Sequence, residues 1–274
     1  IKAGVMNGDV ELEVLSIEIV AEAEVPFELG TEVNIDTFLD IQPYALRSEK
    51  SRAIFKVQTE IVKSFHQFLD GEGFTEFQCP KIVGGDAEGG SAVYTIEYFG
   101  HKAGLATSPQ LYKQIMVGVF ERVYTIGNVF RAEKHATSRH LNEYTSMDFE
   151  FGFIKDHTDI MRLENDLMIY ITKHLQVTCK NEFELLNATI PVVVDSIPVL
   201  KLREAQEIIE KEFGGKAIGE PDLEPEHERQ LCEWSKKNHN SDFIFITHYP
   251  ISKRPFYTYE DENDKGFSKS FDLL

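Results

Sequence analysis

The 274-residue sequence predicts an α+β fold, a mainly antiparallel sheet flanked by helices. Two observations carry that expectation. Strand-like alternation and helix-like periodicity occupy separate runs, with helices grouped between strands instead of alternating with them one by one. Two of the alternating runs, residues 123–133 and 143–153, are joined by a polar loop and read as antiparallel neighbours.

Composition agrees. Hydrophobic residues make up 42% and charged residues 27% of the chain, the balance of a soluble globular protein whose length can bury a core without disulfides or a structural metal. The three cysteines, Cys79, Cys179 and Cys232, are scattered and form no C-x-x-C pair. They read as small hydrophobes in a reducing compartment, which points to a cytoplasmic protein. No run approaches the ~20 apolar residues that span a bilayer, so no membrane association is expected. The opening Ile-Lys-Ala-Gly-Val-Met has neither an initiator Met nor a signal-peptide layout, and reads as the interior of a longer chain. A net charge of −18 argues against a protein whose whole surface binds nucleic acid, but leaves room for a local cationic cleft.

Along the chain, residues 10–20 alternate as a half-buried strand does. A mixed segment with Pro26, Gly30 and Pro43 follows, and a domain boundary is placed after Tyr44. Ser48 caps a helix to about Leu69, with Ile54, Val57, Ile61, Phe65 and Phe68 on one face and Gly71 and Gly73 as stops. A short strand through Phe77 ends at Pro80. Residues 81–92 form a Gly-rich loop and 93–107 a hairpin about Gly100. Ser108-Pro109 starts a helix to about Phe120, since Ser caps and Pro suits the first helical position. Beyond the central hairpin come helices near 157–176, 202–213 and 225–237, with strands at Pro191–Val194 and Phe243–Ile246.

Chemistry concentrates in Val123–Phe153. Ser146, Asp148 and Glu150 share one face of a strand, and Thr145, Met147, Phe149 and Phe151 the other. The apolar set must pack, so the carboxylates line an open polar face. Arg131 and Glu133 share a face of the preceding strand, and the loop 134–140 adds Arg139 and two histidines. The cluster reads either as a phosphate-binding surface, for which arginine's planar fork is suited, or as a salt-bridged hairpin with a solvated loop. The helix at Ser108 tips the balance. Gln110 and Lys113 are neighbours on its first turn, and a lysine there opposes the helix dipole at a cost of ~0.3–1 kcal/mol, which reads as a sign of a carboxylate partner or as a surface lysine snorkelling into water. Gly84–Gly90 matches no phosphate-binding pattern, and its acidic residues would repel phosphate. It reads as a glycine-hinged lid with one functional carboxylate.

Phe130-Arg131-Ala132-Glu133, Arg139-His140-Leu141-Asn142-Glu143 and Asp148-Phe149-Glu150 together resemble the second signature motif of class II aminoacyl-tRNA synthetases, in the form of archaeal and eukaryotic aspartyl enzymes. The helix ending in the Pro80 strand resembles the first motif, Ala87–Gly90 the flipping loop, and Ser108–Gln114 the aspartate-binding helix. Arg254–Tyr257 and Ser270–Leu274 resemble downstream strands. The resemblance runs in order from about residue 20 to the end.

It implies that the chain activates L-aspartate with ATP and passes the aspartyl group to the 3′ end of tRNA, with magnesium on the phosphates, as a homodimer. Residues 1–44 would be the end of an anticodon-binding domain plus linker, and 45–274 a catalytic domain incomplete at its C-terminus, weak or inactive alone. Arg131 would bind the α-phosphate. The ATP site would comprise Arg131, Ala132, Glu133, Arg139, His140, Leu141 and Tyr144, with the Tyr144 ring on adenine. The aspartate site would comprise Glu88, Gln110, Leu111, Tyr112, Lys113, Arg131 and Asp148, with Lys113 facing the side-chain carboxylate and Asp148 orienting it. Asp272 would be a magnesium carboxylate. The face with Ile54, Ile61 and Phe65 would lie at a two-fold interface. Departures are Thr107, where the family often has Gln, a one-residue shorter segment before Arg131, and the lack of a third motif. The alternatives are an asparaginyl enzyme, an ammonia-dependent asparagine synthetase on the same core, and a non-catalytic dimerising fragment. Asp148, where asparaginyl enzymes are expected to carry Glu, and Arg254-Pro255-Phe256-Tyr257 argue against the first.

Overall fold

The computed structural model describes residues 13–22, 31, 33–85, 92–133 and 141–274. The chain divides into two compact units, Ile1–Arg52 and Ala53–Leu274.

In the first unit the expected strand is not found among described residues 13–20. Val14, Leu15, Ile17, Ile19 and Val20 are all exposed. Alternation makes a strand only where a ladder partner satisfies the backbone and a surface covers the apolar side. The stretch read as linker instead holds two short helices, α1 (Ile35–Asp40) and α2 (Gln42–Ala45). Asn34 caps α1, accepting the Thr37 amide at 2.8 Å, and Pro43 sits in the first turn of α2. The third helix, α3 (Glu49–Gly71), starts after Ser48, whose hydroxyl accepts the Ser51 amide at 3.3 Å.

In the second unit α3 is followed by β1 (Thr75–Glu76), β2 (Ile82–Val83) and the hairpin β3 (Thr95–Tyr98) and β4 (His101–Leu105). Phe99 and Gly100 both have positive φ, as a two-residue turn matched to the strand twist requires. Then come α4 (Gln110–Phe120), β5 (Arg122–Phe130), β6 (Glu143–Phe151), α5 (Thr158–Thr178) and α6 (Lys180–Leu185). The chain continues through β7 (Val199–Lys201), α7 (Leu202–Ile208) with a π-helical turn at Ile209–Phe213, α8 (Pro225–His239), β8 (Phe245–Thr247) and β9 (Phe271–Leu273).

The strands form three three-stranded sheets, ordered β1-β5-β6, β2-β4-β3 and β7-β8-β9. Antiparallel pairing prevails; β1 on β5 and β7 on β8 are the parallel pairs among the described residues. The β5–β6 ladder sets Tyr124 opposite Phe149 and Ile126 opposite Met147 on one face, and Thr125 opposite Asp148 and Val123 opposite Glu150 on the other. The apolar face is covered by Phe65 and Leu69 of α3 and Leu167, Ile171 and Leu175 of α5. The hydrophobic effect thereby fixes which face of β6 stays open.

That packing covers part of the α3 face expected at an interface. Phe65 is 2% exposed and Ile61 packs beside it in the subunit's own core, while Ile54 remains exposed. A stripe able to bury against the sheet beneath it does so first.

Two further strand expectations fail. Residues 191–194 are not a strand: the Asp242 carboxylate accepts the Val192 amide at 2.6 Å, and the Asp242 amide donates to the Val192 carbonyl at 3.0 Å. Val192 is satisfied without a ladder, and Val199–Lys201 pairs with β8 instead. Arg254–Tyr257 enters a turn closed by the Thr258 amide on the Pro255 carbonyl at 3.0 Å. None of the three cysteines is in a disulfide, and Cys179 is buried in the core. Among the described residues no helix is long and apolar enough to cross a membrane.

Candidate active site

The open face of β6 meets the first turn of α4. Pro109 is the N-cap residue, and Ser108 supplies the hydroxyl, accepting the Gln110 amide at 3.1 Å. The helix start is thus one residue later than the Ser-Pro reading placed it. This start puts Gln110 and Lys113 over the carboxylates. Lys113 is 8% exposed, and its Nζ lies 3.1 Å from Asp148 Oδ1 and 3.7 Å from Glu150 Oε2. Gln110 Nε2 donates to Glu150 Oε2 at 3.0 Å, and the Ser146 hydroxyl donates to the other Asp148 oxygen. The dipole-opposing lysine therefore has its carboxylate partner, with a second anion behind it.

The two acids differ. Asp148 receives both an ammonium and a hydroxyl. Glu150 receives a neutral amide at close range and the ammonium further off, and burial pushes its carboxyl above the ordinary range despite both. Glu150 is the pocket residue that sequence reasoning did not assign. Its signal was its place two residues from Asp148 on the same face. Lys81 was missed as well: a Cβ on Gly127, which pairs with Ser146, would come within 3.0 Å of the Lys81 ammonium.

At the other end of the hairpin, the Arg131 amide donates to the Asn142 carbonyl at 2.9 Å, and the guanidinium lies 5.8 Å from the Tyr144 ring centroid. The Ala132 amide donates to the Ala92 carbonyl at 2.8 Å, tying this strand end to the segment before the β3–β4 hairpin. Glu133 is half-buried beside them. An arginine backed by an aromatic ring is a preorganised anion site. Tyr112 is half-buried, whereas Leu111 and Leu141 are exposed, Leu111 on a stripe of α4 with Ile115 and Val119. Glu88, Arg139 and His140 lie outside the described residues.

Asp272 stands on β9, where Arg254 Nη2 donates to it at 2.9 Å and the guanidinium stacks 3.9 Å from the Tyr249 ring. Burial, with Asp272 adding to it, raises the nearby Glu164 carboxyl to about 7. Among the described residues no group of three His, Cys, Asp or Glu side chains could hold a metal ion. A single carboxylate such as Asp272, here paired with Arg254, fits magnesium that would be carried mainly by phosphate oxygens and water.

The family model for class II tRNA synthetases of the D, K and N group matches residues 34–274. The chain belongs to the class II aminoacyl-tRNA synthetases. It is 47% identical to the aspartate–tRNA(Asp/Asn) ligase of Deinococcus radiodurans over 97% of its own length and 63% of that protein. It is 36% identical to human cytoplasmic aspartate–tRNA ligase, over 97% of this chain and 57% of that one. Among solved structures, the asparaginyl-tRNA synthetase of Pyrococcus horikoshii with asparaginyl-adenylate superposes with a TM-score of 0.80 at 29% identity, over 88% of this chain and 55% of that one. The chain spans about three fifths of the length of the curated relatives it matches. For a class II synthetase, an α+β core with a mainly antiparallel hairpin at its centre is the fold that these neighbours share.

Proposed function

We propose that this chain is the core of an aspartate–tRNA ligase, which converts L-aspartate and ATP into aspartyl-adenylate and pyrophosphate and then transfers the aspartyl group to tRNA, releasing AMP. The observation that carries the reading is the buried Lys113, held between Asp148 and Glu150 on the open face of the hairpin. Aspartate and asparagine have nearly the same size, so the pocket must read charge. An ammonium fixed on rigid elements offers the side-chain carboxylate a partner, and leaves an amide facing a desolvated cation. Aspartate ligases among the relatives support the same reading.

In this reading Lys113 binds the substrate's side-chain carboxylate, Asp148 keeps the ammonium extended, and Gln110, with Glu88, serves the substrate's ammonium and nearby polar groups. Leu111 and Tyr112 set the helix that carries them. Arg131 binds the α-phosphate and the carboxylate attacking it, steadying the charge that develops. Its worth is ~3–4 kcal/mol, as for other preorganised donors. Ala132, Glu133, Arg139, His140, Leu141 and Tyr144 make the rest of the ATP site, with the Tyr144 ring on adenine. Asp272 would hold magnesium, which when bound neutralises phosphoryl charge. Catalysis otherwise rests on positioning. A homodimer, a tRNA partner, a cytoplasmic setting and an N-terminal anticodon-binding segment in residues 1–44 belong to the same proposal. A test is aspartate-dependent exchange of pyrophosphate into ATP by the full-length enzyme. Exchange driven by asparagine and not aspartate would assign the asparaginyl reaction instead.

A further inference from the structure

We propose that Lys81 is the cation that receives the α-carboxylate of the amino-acid substrate, between the Lys113 end of the pocket and the Arg131 end. The inference rests on the aspartate reading and adds one binding residue to it.

Same-face residues of the β5–β6 ladder follow one another in steps of about 7 Å. At one step Asp148 stands opposite Thr125, and Lys113 Nζ lies 3.1 Å from the carboxylate. At the next, Ser146 stands opposite Gly127, and Lys81 Nζ lies 3.0 Å from where a Gly127 Cβ would sit. Residues directly opposite on a ladder share a face, so this ammonium is on the side of Ser146 and Asp148. At the step after that, Tyr144 stands opposite Val129, and the Arg131 guanidinium lies 5.8 Å from its ring. Three cations therefore succeed one another along one open face.

Aspartyl-adenylate carries its groups in the same order: side-chain carboxylate, α-carboxyl, α-phosphate. Two carbons separate the two carboxylates of aspartate. A substrate anchored at Lys113 and directed towards Arg131 thus lays its α-carboxylate about one step along, beside Lys81. That order comes from the covalent structure of the adenylate, whatever further groups close around it.

The lysine is also held in place. Its carbonyl accepts the Ala106 amide at 2.9 Å, and the Ala106 carbonyl accepts the Phe130 amide at 2.9 Å. Two backbone bonds tie it to the strand end that carries Arg131, the rigid support that a binding group needs. Among the described residues, the one hydrogen bond of its ammonium goes to the Cys79 sulfur at 3.4 Å. Sulfur is a weak acceptor, and an ammonium has two more protons to give a carboxylate. Aspartate and asparagine share the α-carboxylate, so Lys81 adds affinity without choosing between them. Lys113 makes that choice.

The test is isothermal titration of the full-length enzyme with two probes, L-aspartate and its α-amide, which keeps the side-chain carboxylate and lacks the other. Lys81→Met should weaken aspartate about 10- to 100-fold, the range for a hydrogen bond to a charged group, and leave the α-amide nearly unchanged. Lys81→Arg keeps the charge and should retain most of the aspartate affinity. Lys113→Met should weaken both probes, because both carry the side-chain carboxylate. Where Lys81→Met fails to fold, Lys81→Gln, neutral but polar towards Cys79, takes its place. If the neutral variants weaken both probes alike, or neither, the role of Lys81 is overturned; the aspartate reading stands as long as Lys113→Met behaves as stated. An enzyme that binds asparagine and not aspartate overturns both.

Discussion

Replacing Lys113 with Met keeps most of the side chain's length and apolar stem and removes its charge. In wild type the ammonium is nearly buried, while the Asp148 and Glu150 side chains retain 18% and 25% exposure. Removing one member of a buried pair costs ~3–5 kcal/mol, because the other charge is left uncompensated. Here that cost to folding should be smaller, about 1–3 kcal/mol, since Ser146 still serves Asp148, Gln110 still serves Glu150, and partial exposure screens both. Aspartate has no such relief. It must place a third carboxylate against two anions with no cation present, so its kcat/KM should fall by ~2–5 kcal/mol, roughly 30-fold to several thousandfold. Asparagine meets no new repulsion, and the preference for aspartate should shrink by most of that factor. Amino-acid-dependent pyrophosphate exchange by the full-length enzyme, measured with both substrates, gives the two numbers. If Lys113→Met leaves aspartate use and the aspartate-to-asparagine ratio unchanged, the charge-reading pocket is refuted.

Arg131→Ala should instead suppress exchange with either amino acid, by ~3–4 kcal/mol, because its role concerns the phosphate and not the side chain; a loss confined to one amino acid would contradict that. Glu164→Gln should stabilise the chain at alkaline pH. The folded carboxyl titrates near 7 against an ordinary 4.5, so folding holds a proton that the unfolded chain releases. Stability therefore falls as pH rises through that window and stays low above it. The gap is worth about 2–3 kcal/mol at pH 8 after allowance for residual solvent contact, and urea unfolding of both forms at pH 5 and pH 8 reads it. His157 behaves in the opposite sense. Burial holds its imidazole below the ordinary 6.5, so the unfolded chain binds the proton first and stability drops as pH falls below about 6.5. His157→Gln should flatten that decline in thermal unfolding between pH 7 and 5.5, and an unchanged slope would assign the decline elsewhere.

The local chemistry of the site was legible in residue order. Period-two alternation placed Ser146, Asp148 and Glu150 on one face of a strand, and helical spacing placed Gln110 beside Lys113. Both devices depend only on neighbours a few residues apart. The dipole argument even pointed to a carboxylate for Lys113 without naming it, and the structure supplies Asp148 from 35 residues away. What alternation could not decide was whether a strand would form at all. Residues 13–20 alternate as well as β6 does, yet are exposed and unpaired among the described residues, because a ladder needs a second strand that local pattern does not specify.

Tertiary structure alone decided three things. It sent the Ile61 and Phe65 face of α3 into the subunit's own core, since an apolar stripe shows that it must be covered but not by what. It brought Lys81, which precedes β2, over Gly127 of β5. And it divided one ammonium between two carboxylates at unequal distances, a matter of a few tenths of an ångström set by how α4 rests on the hairpin. Sequence determines which charged groups are available on a face. Their protonation depends on burial and on distances between elements, and those exist only once the chain has packed.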